Sequence, residues 1–100
     1  WGLADLAPQL QAAIGEQYTT EELEKIGERI WNMEREFNNA AGFTAKDDSL
    51  PKRLLTEAAK TGPAKGKVNM LAEMMPKYYS ARGWDSEGRP TAATRTRLGL

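Results

Sequence analysis

The strongest constraint in this chain is a row of apolar residues, Leu23, Ile26, Ile30, Met33 and Phe37, spaced by 3, 4, 3 and 4 positions. An α-helix turns once every 3.6 residues, so this spacing keeps the row on one helical face, whereas a strand would scatter it over both faces. The start signal lies just before the row. Thr19 and Glu22 stand at capping-box spacing, where the hydroxyl accepts from the N3 amide and the carboxylate accepts from the cap amide. The helix should end near Asn39 to Ala41, with Gly42 just beyond it in the left-handed conformation. Such a stripe is expected to be buried, and Trp31 beside it is expected to join the core. Gly27 costs roughly 1 kcal/mol of helix propensity relative to Ala, so a neighbouring element is expected to approach closely there. Glu21 and Lys25 form an expected outward i,i+4 pair.

Other elements follow by the same logic. Leu3, Leu6, Leu10 and Ile14 predict a first helix over about Leu3 to Ile14, kinked at Pro8 or divided there into a short turn and a longer piece, and closed by Gly15. Ser49-Leu50-Pro51 predicts a short helix through Leu55, because Pro suits a first helical position. Asn69 is the expected N-cap of a helix to Arg82, with Gly83 at its end and a bend at Pro76. Met70, Met74 and Tyr78 share one of its faces, with Leu71, Met75 and Tyr79 beside them. Asp85 to Gly88 reads as a turn, and Pro90-Thr91 opens a last short helix ending at Gly99. Phe43 to Val68 is otherwise irregular. No internal repeat or strand-like alternation is present. The expected fold is all-α: one small domain over residues 1–100, with three to five helices and a long irregular central connection.

Residue types exclude most chemistries. Cysteine and histidine are absent. No disulfide, thiolate nucleophile or cysteine-ligated iron–sulfur cluster can form, and the usual neutral-pH base and commonest imidazole ligand are missing. No EF-hand-like acidic spacing occurs. Fourteen basic residues balance fourteen acidic ones, which argues against nucleic-acid binding. No apolar run approaches the roughly 20 residues of a membrane span. The first residue is Trp1, and no basic stretch leads into an apolar one, so a cytoplasmic segment cut from a longer chain is expected.

Four local features suggest sites, and each has a plainer explanation. Gly62-Pro63-Ala64-Lys65-Gly66-Lys67 looks like a phosphate loop, but three residues separate its glycines and Val68 stands where Ser or Thr should be; a surface connection is expected. Asp47-Asp48 pairs two carboxylates in a loop, where a turn or helix-start role is expected over acid–base work. Lys52 and Arg53 could hold an anion, but are expected to pair with Asp47 or Asp48. Met70, Met74 and Met75 could line a peptide groove, with core or interface packing preferred. Trp84 is expected to fold back on the helix that precedes it. Arg89, Arg95 and Arg97 are expected in a solvated tail or a subunit contact.

The order of blocks carries a family resemblance. Thr19 to Leu23 and Lys25 to Arg35 resemble a long helix near the end of aldehyde ferredoxin oxidoreductases. Phe37-Asn38, Gly42-Phe43, Lys46 to Arg53 and Gly62 to Gly66 continue the similarity. So do Met74 to Trp84 and the closing Leu98-Gly99-Leu100. The resemblance covers about Tyr18 to Leu100, with Leu3 to Gly15 fitting loosely; Thr91 to Arg97 departs from the family. It implies a parent enzyme that oxidises aldehydes to carboxylates and passes electrons to ferredoxin. That family uses tungsten held by two pterin cofactors beside a [4Fe–4S] cluster. The family's cluster cysteines and pterin motifs match no position here, so no catalytic, cofactor-binding or metal residue is carried over. The implied role is structural: a C-terminal helical segment whose partner is the rest of the parent enzyme. Because its apolar stripes call for a larger body, the segment by itself is expected to expose apolar surface and to self-associate. Two alternatives are a stand-alone helical protein-interaction module and a segment of a related tungsten enzyme, such as a benzoyl-CoA reductase subunit.

Overall fold

A computed structural model describes residues 1–100 and contains five α-helices joined by turns: α1 (Leu3–Ile14), α2 (Thr20–Ala40), α3 (Lys52–Thr56), α4 (Leu71–Arg82) and α5 (Ala92–Leu98). A single 3-10 turn, Ala45–Asp47, lies between α2 and α3. No sheet forms; the only β-type pairings are isolated bridges, Ala59 with Lys65 and Trp84 with Pro90.

The helix ends obey local chemistry. Thr19 Oγ1 accepts from the Glu22 amide at 3.1 Å, and Glu22 accepts from the Thr19 amide at 2.8 Å. At the other end of α2, Gly42 takes φ +102°, its amide donates to Asn39 O at 3.1 Å, and that of Phe43 donates to Asn38 O at 3.0 Å. These paired bonds satisfy carbonyls that the helix leaves free. Thr91 caps α5, and Gly83 and Gly99 close α4 and α5 in the left-handed region, as expected. Asn69 does not cap α4. Its amide instead donates to Leu54 O at 3.0 Å, tying the α4 entrance to α3, and α4 begins at Leu71 without a side-chain cap.

The main departure from the sequence expectation is which face of α2 turns inward. Helix α2 is the spine against which α1 and α5 pack. Its inward row is Glu28, Asn32, Arg35, Glu36 and Asn39, a polar series at helical spacing. At about 100° per residue this row lies roughly 150° around the helix from Leu23, Ile26, Ile30, Met33 and Phe37. Ile30 is 53% and Phe37 74% exposed, whereas Asn32 is 1% exposed. From Ile26 to Phe37 the apolar stripe is therefore presented outward, while Leu23 is half-buried. Trp31 is likewise half exposed, its ring covered on one side by the Arg82 guanidinium 5.0 Å from the centroid. Gly27 has nothing near the position of an added Cβ, so no close approach within the chain explains it. Glu21 and Lys25 form no ion pair.

Burial is sparse in the rest of the chain as well. Only six of 100 residues are buried, too few for an apolar core. The accessible surface is 7778 Å², against about 5,700 Å² for a compact protein of this mass. The radius of gyration is 17.9 Å, against about 13 Å for a compact 100-residue domain. In α4, burial falls on the row containing Tyr79, while Met70 and Met74 stay open.

Candidate functional site

The buried residues converge where the carboxyl half of α2 meets the 3-10 turn, the end of α4 and the start of α5. Arg35 is the centre. Its Nε donates to Gly88 O at 2.7 Å, and Nη1 donates to Asp48 Oδ1 at 2.7 Å. Its Nη2 donates to Asp48 Oδ2, the second limb of a bidentate pair. The Tyr79 hydroxyl donates to the same Asp48 oxygen. The Arg35 guanidinium also lies over the Trp84 ring, 4.8 Å from its centroid, and 5.9 Å from that of Tyr79. Trp84 Nε1 donates to Asn32 Oδ1 at 2.8 Å, and Asn32 Nδ2 donates to Glu28 O at 2.8 Å. Every polar group named here is satisfied inside the chain, as a buried polar cluster requires.

Local backbone geometry places these groups. The Asp85 carboxylate accepts from the Glu87 and Arg89 amides at 2.9 and 3.0 Å, folding the expected turn. That turn needs Gly88 at φ +73°. A Cβ on Gly88 would run into Arg35 Nη2 and lie 3.1 Å from the Tyr79 ring, so both its conformation and its space demand glycine. Thr94 Oγ1 donates to Gly83 O at 2.7 Å, fastening α5 to the end of α4, and Leu98 is sealed beneath at 2% exposure. Arg95 pairs with Glu36 at 2.7 Å and Arg97 with Glu28 at 2.6 Å. Those two arginines thus knit α5 onto α2 instead of forming a solvated tail.

The electrostatics are those of a lock. Hydrogen bonds from Arg35 hold the Asp48 carboxyl below its usual range against the opposing effect of burial, with the Tyr79 hydroxyl assisting. The Arg35 guanidinium is held above its ordinary value by the bond to Asp48. Burial pushes the Tyr79 phenol up to about 12, and its bond to Asp48 adds to that. All three groups are fixed in their ordinary neutral-pH states, so none is poised for proton transfer near pH 7. Two clefts flank the cluster, sharing Asp48, Met75 and Trp84 in their walls, with volumes of about 500 and 390 Å³. The carboxylate in those walls is already saturated by Arg35 and Tyr79.

The sequence-level candidates are resolved differently. Asp47 takes the expected turn role, accepting from the Thr44 amide at 2.8 Å. Asp48 does not pair with Lys52 or Arg53; Arg53 instead reaches Glu57 at 3.2 Å on the surface. The Gly62 to Lys67 segment is an exposed connection with no helix starting on it. Trp84 folds back on α4 as expected, meeting Tyr78 edge-on at 5.7 Å. The Arg35–Asp48–Tyr79 association was not foreseen. Asn32, Arg35 and Asn39 do share one face of α2, but a polar face opposite an apolar stripe ordinarily reads as solvated, so no sequence signal singled the cluster out.

This cluster offers no redox donor set. It contains no thiolate or imidazole, and nowhere in the chain do three carboxylates converge as they would on a metal. The comparison with known proteins decides the relationship. The family model for aldehyde ferredoxin oxidoreductase, domains 2 and 3, matches residues 1–100. The chain belongs to the aldehyde ferredoxin oxidoreductase family. It is 50% identical over 100 residues to the tungsten-containing aldehyde ferredoxin oxidoreductase of Pyrococcus abyssi, and 49% to that of Thermococcus kodakarensis. The enzyme of the same name from Pyrococcus furiosus is 48% identical. In each case 99% of this chain is covered but only 16% of the relative's length. The match is to the C-terminal part of the family. Without cysteine, these 100 residues supply no thiolate to an iron–sulfur cluster.

Proposed function

We propose that this chain is a helical packing domain, the C-terminal part of a longer tungsten-dependent aldehyde ferredoxin oxidoreductase of the cytoplasm. The parent reaction converts aldehyde and water to carboxylate and passes two electrons to ferredoxin. The metal, its two pterins and the [4Fe–4S] cluster are held by other parts of the parent chain. The residues here contribute shape. The carrying observation is the two-faced α2 helix: one face locks this segment to itself through polar bonds, while the opposite face presents Ile26, Ile30, Met33 and Phe37 outward. Large apolar patches of this kind mark surfaces covered by another body. The short match to the relatives supports the parent polypeptide as that body.

The test compares two preparations made anaerobically with tungstate. The full parent protein is expected to contain tungsten and to reduce a viologen dye with an aldehyde. The purified 100-residue chain is expected to hold no stoichiometric tungsten or iron and to oxidise no aldehyde. Metal at one equivalent in the short chain would overturn its structural role. Failure of the full protein to use any aldehyde would overturn the parent activity.

A further inference from the structure

One cation of this segment is held in place without a partner. Arg82, the last residue of α4, lies with its guanidinium 5.0 Å from the Trp31 centroid and 5.5 Å from that of Tyr78. It joins none of the ion pairs, which engage Arg35, Arg53, Arg95 and Arg97. The other two arginines outside those pairs, Arg29 and Arg89, are exposed, whereas Arg82 is half-buried. The acids around it are engaged or stand apart. Asp48 is taken by Arg35 and Tyr79, and Asp85 accepts from the amides of its own turn. Glu34, in the wall of the cleft that Trp31 and Tyr78 also line, makes no ion pair. Arg82 also ends an open row. Met70, Met74 and Tyr78 precede it at four-residue steps, and all three are exposed, as is Trp31.

Solvent satisfies Arg82 only while this face is wet. Covering Met74, Tyr78 and Trp31 takes the guanidinium out of water with them, and a desolvated charge needs an opposite charge and hydrogen-bond acceptors. A planar guanidinium already oriented on two rings loses little entropy in donating a two-pronged bond to a carboxylate. We propose that this face of α4 and Trp31 docks on the parent's own chain, and that an acidic side chain of that chain pairs with Arg82. The assignment rests on the packing role proposed above. The chain spans 16% of the length of its relatives, so a parent of that length leaves most of its polypeptide outside these residues. Being tethered, that polypeptide is present at high effective concentration, an advantage that a separate partner or a second copy lacks. A backbone carbonyl alone would satisfy the donors but leave the charge uncompensated in a dry contact.

The experiment uses the full parent protein, as wild type and as Arg82→Met, Arg82→Lys, and Arg82→Met combined with Glu34→Gln. Peroxide oxidation of Met70 and Met74, read by mass spectrometry, reports whether the face is covered. Native-state hydrogen exchange of the α4 amides, corrected for intrinsic exchange, reports local opening from about pH 8 down to about pH 5. The proposal expects both methionines to oxidise slowly relative to the denatured protein. Arg82→Met should raise opening at least about 10-fold at the upper pH, because it strands a covered carboxylate. The excess should shrink as pH falls and that carboxylate takes up a proton. Adding Glu34→Gln should leave this pH dependence intact. In the Arg82→Lys parent, a carbodiimide joins an amine to a carboxylate that it touches. It should couple position 82 to an acid outside residues 1–100 of the same polypeptide, a readout that needs no destabilised variant. Rapid oxidation of both methionines in wild type overturns the packing role and this proposal with it. Protected methionines with no Arg82→Met defect, or a pH-independent one, overturn the pairing alone. So does coupling only to Glu34 or to a second copy.

Discussion

Replacing Asp48 by Ala is the sharpest perturbation of this segment. It removes both carboxylate limbs from Arg35 and the acceptor of the Tyr79 hydroxyl. The Arg35 and Asp48 side chains are only 14% and 22% exposed, so water replaces those bonds poorly. Stranding one partner of a largely buried ion pair costs about 3 kcal/mol. At 4–8 °C per kcal/mol for a chain of this size, the midpoint should fall by about 12–24 °C. Asp47→Ala is the matched control, because it removes one exposed cap and costs about 1 kcal/mol. Dilute urea titrations followed by tryptophan fluorescence would measure both. A cycle with Arg35→Ala should give a coupling near 2 kcal/mol. The folded state holds the Asp48 carboxyl below its ordinary value. Its stabilisation is therefore complete above the unfolded value near 3.8 and is lost as pH falls through the folded value. The coupling should be intact at pH 7 and fade below pH 3.8. Equal costs for Asp48→Ala and Asp47→Ala, or a coupling that survives strong acid, would refute the lock.

Further outcomes follow from neighbouring features. Gly88→Ala should cost at least about 2 kcal/mol more than Gly42→Ala in the same titration. Both positions pay the left-handed penalty of about 1–2 kcal/mol, but only Gly88 also drives a methyl into Arg35 and Tyr79. Phenolate absorbance should show Tyr79 titrating near pH 12. Because its folded value lies above the unfolded value of 10.0, Tyr79's contribution is complete below pH 10.0 and lost towards 12. Tyr79→Phe should abolish that alkaline loss. The isolated chain should self-associate by analytical ultracentrifugation, and Ile30→Glu with Phe37→Glu should render it monomeric without loss of helix. A monodisperse wild-type monomer would contradict the outward apolar face.

Much of the secondary structure was legible because its signals are local. Thr19 with Glu22, Thr91, and the glycines at 15, 42, 83 and 99 act within a few residues, and each performs the expected task. That the segment by itself leaves apolar surface open was legible from its stripes; that its own helices cover the polar face of α2 was not. Periodicity identifies an apolar face but not the body that covers it, and here that face is left open by the chain's own helices. Trp31 and Gly27 were misplaced for the same reason. The clasp was hidden because Arg35 finds Asp48 thirteen residues on and Gly88 a further forty away. Adjacent Lys52 and Arg53 were more obvious partners, but α3 carries them to the surface.

The polar seam along α2 has a thermodynamic consequence. Ordinary 100-residue domains absorb about 1.2–1.5 kcal/mol/K on unfolding, because melting wets apolar surface. This segment holds itself together with carboxylate, guanidinium and amide bonds and leaves much of its apolar surface already wet. Its melting should therefore show a shallow heat-capacity step, and its joining to a larger body should show the deep one. Calorimetry would then divide the molecule's history into two enthalpically distinct acts: a directional closure that fixes the relative positions of α2, α4 and α5, and a later drying of Ile30 and Phe37.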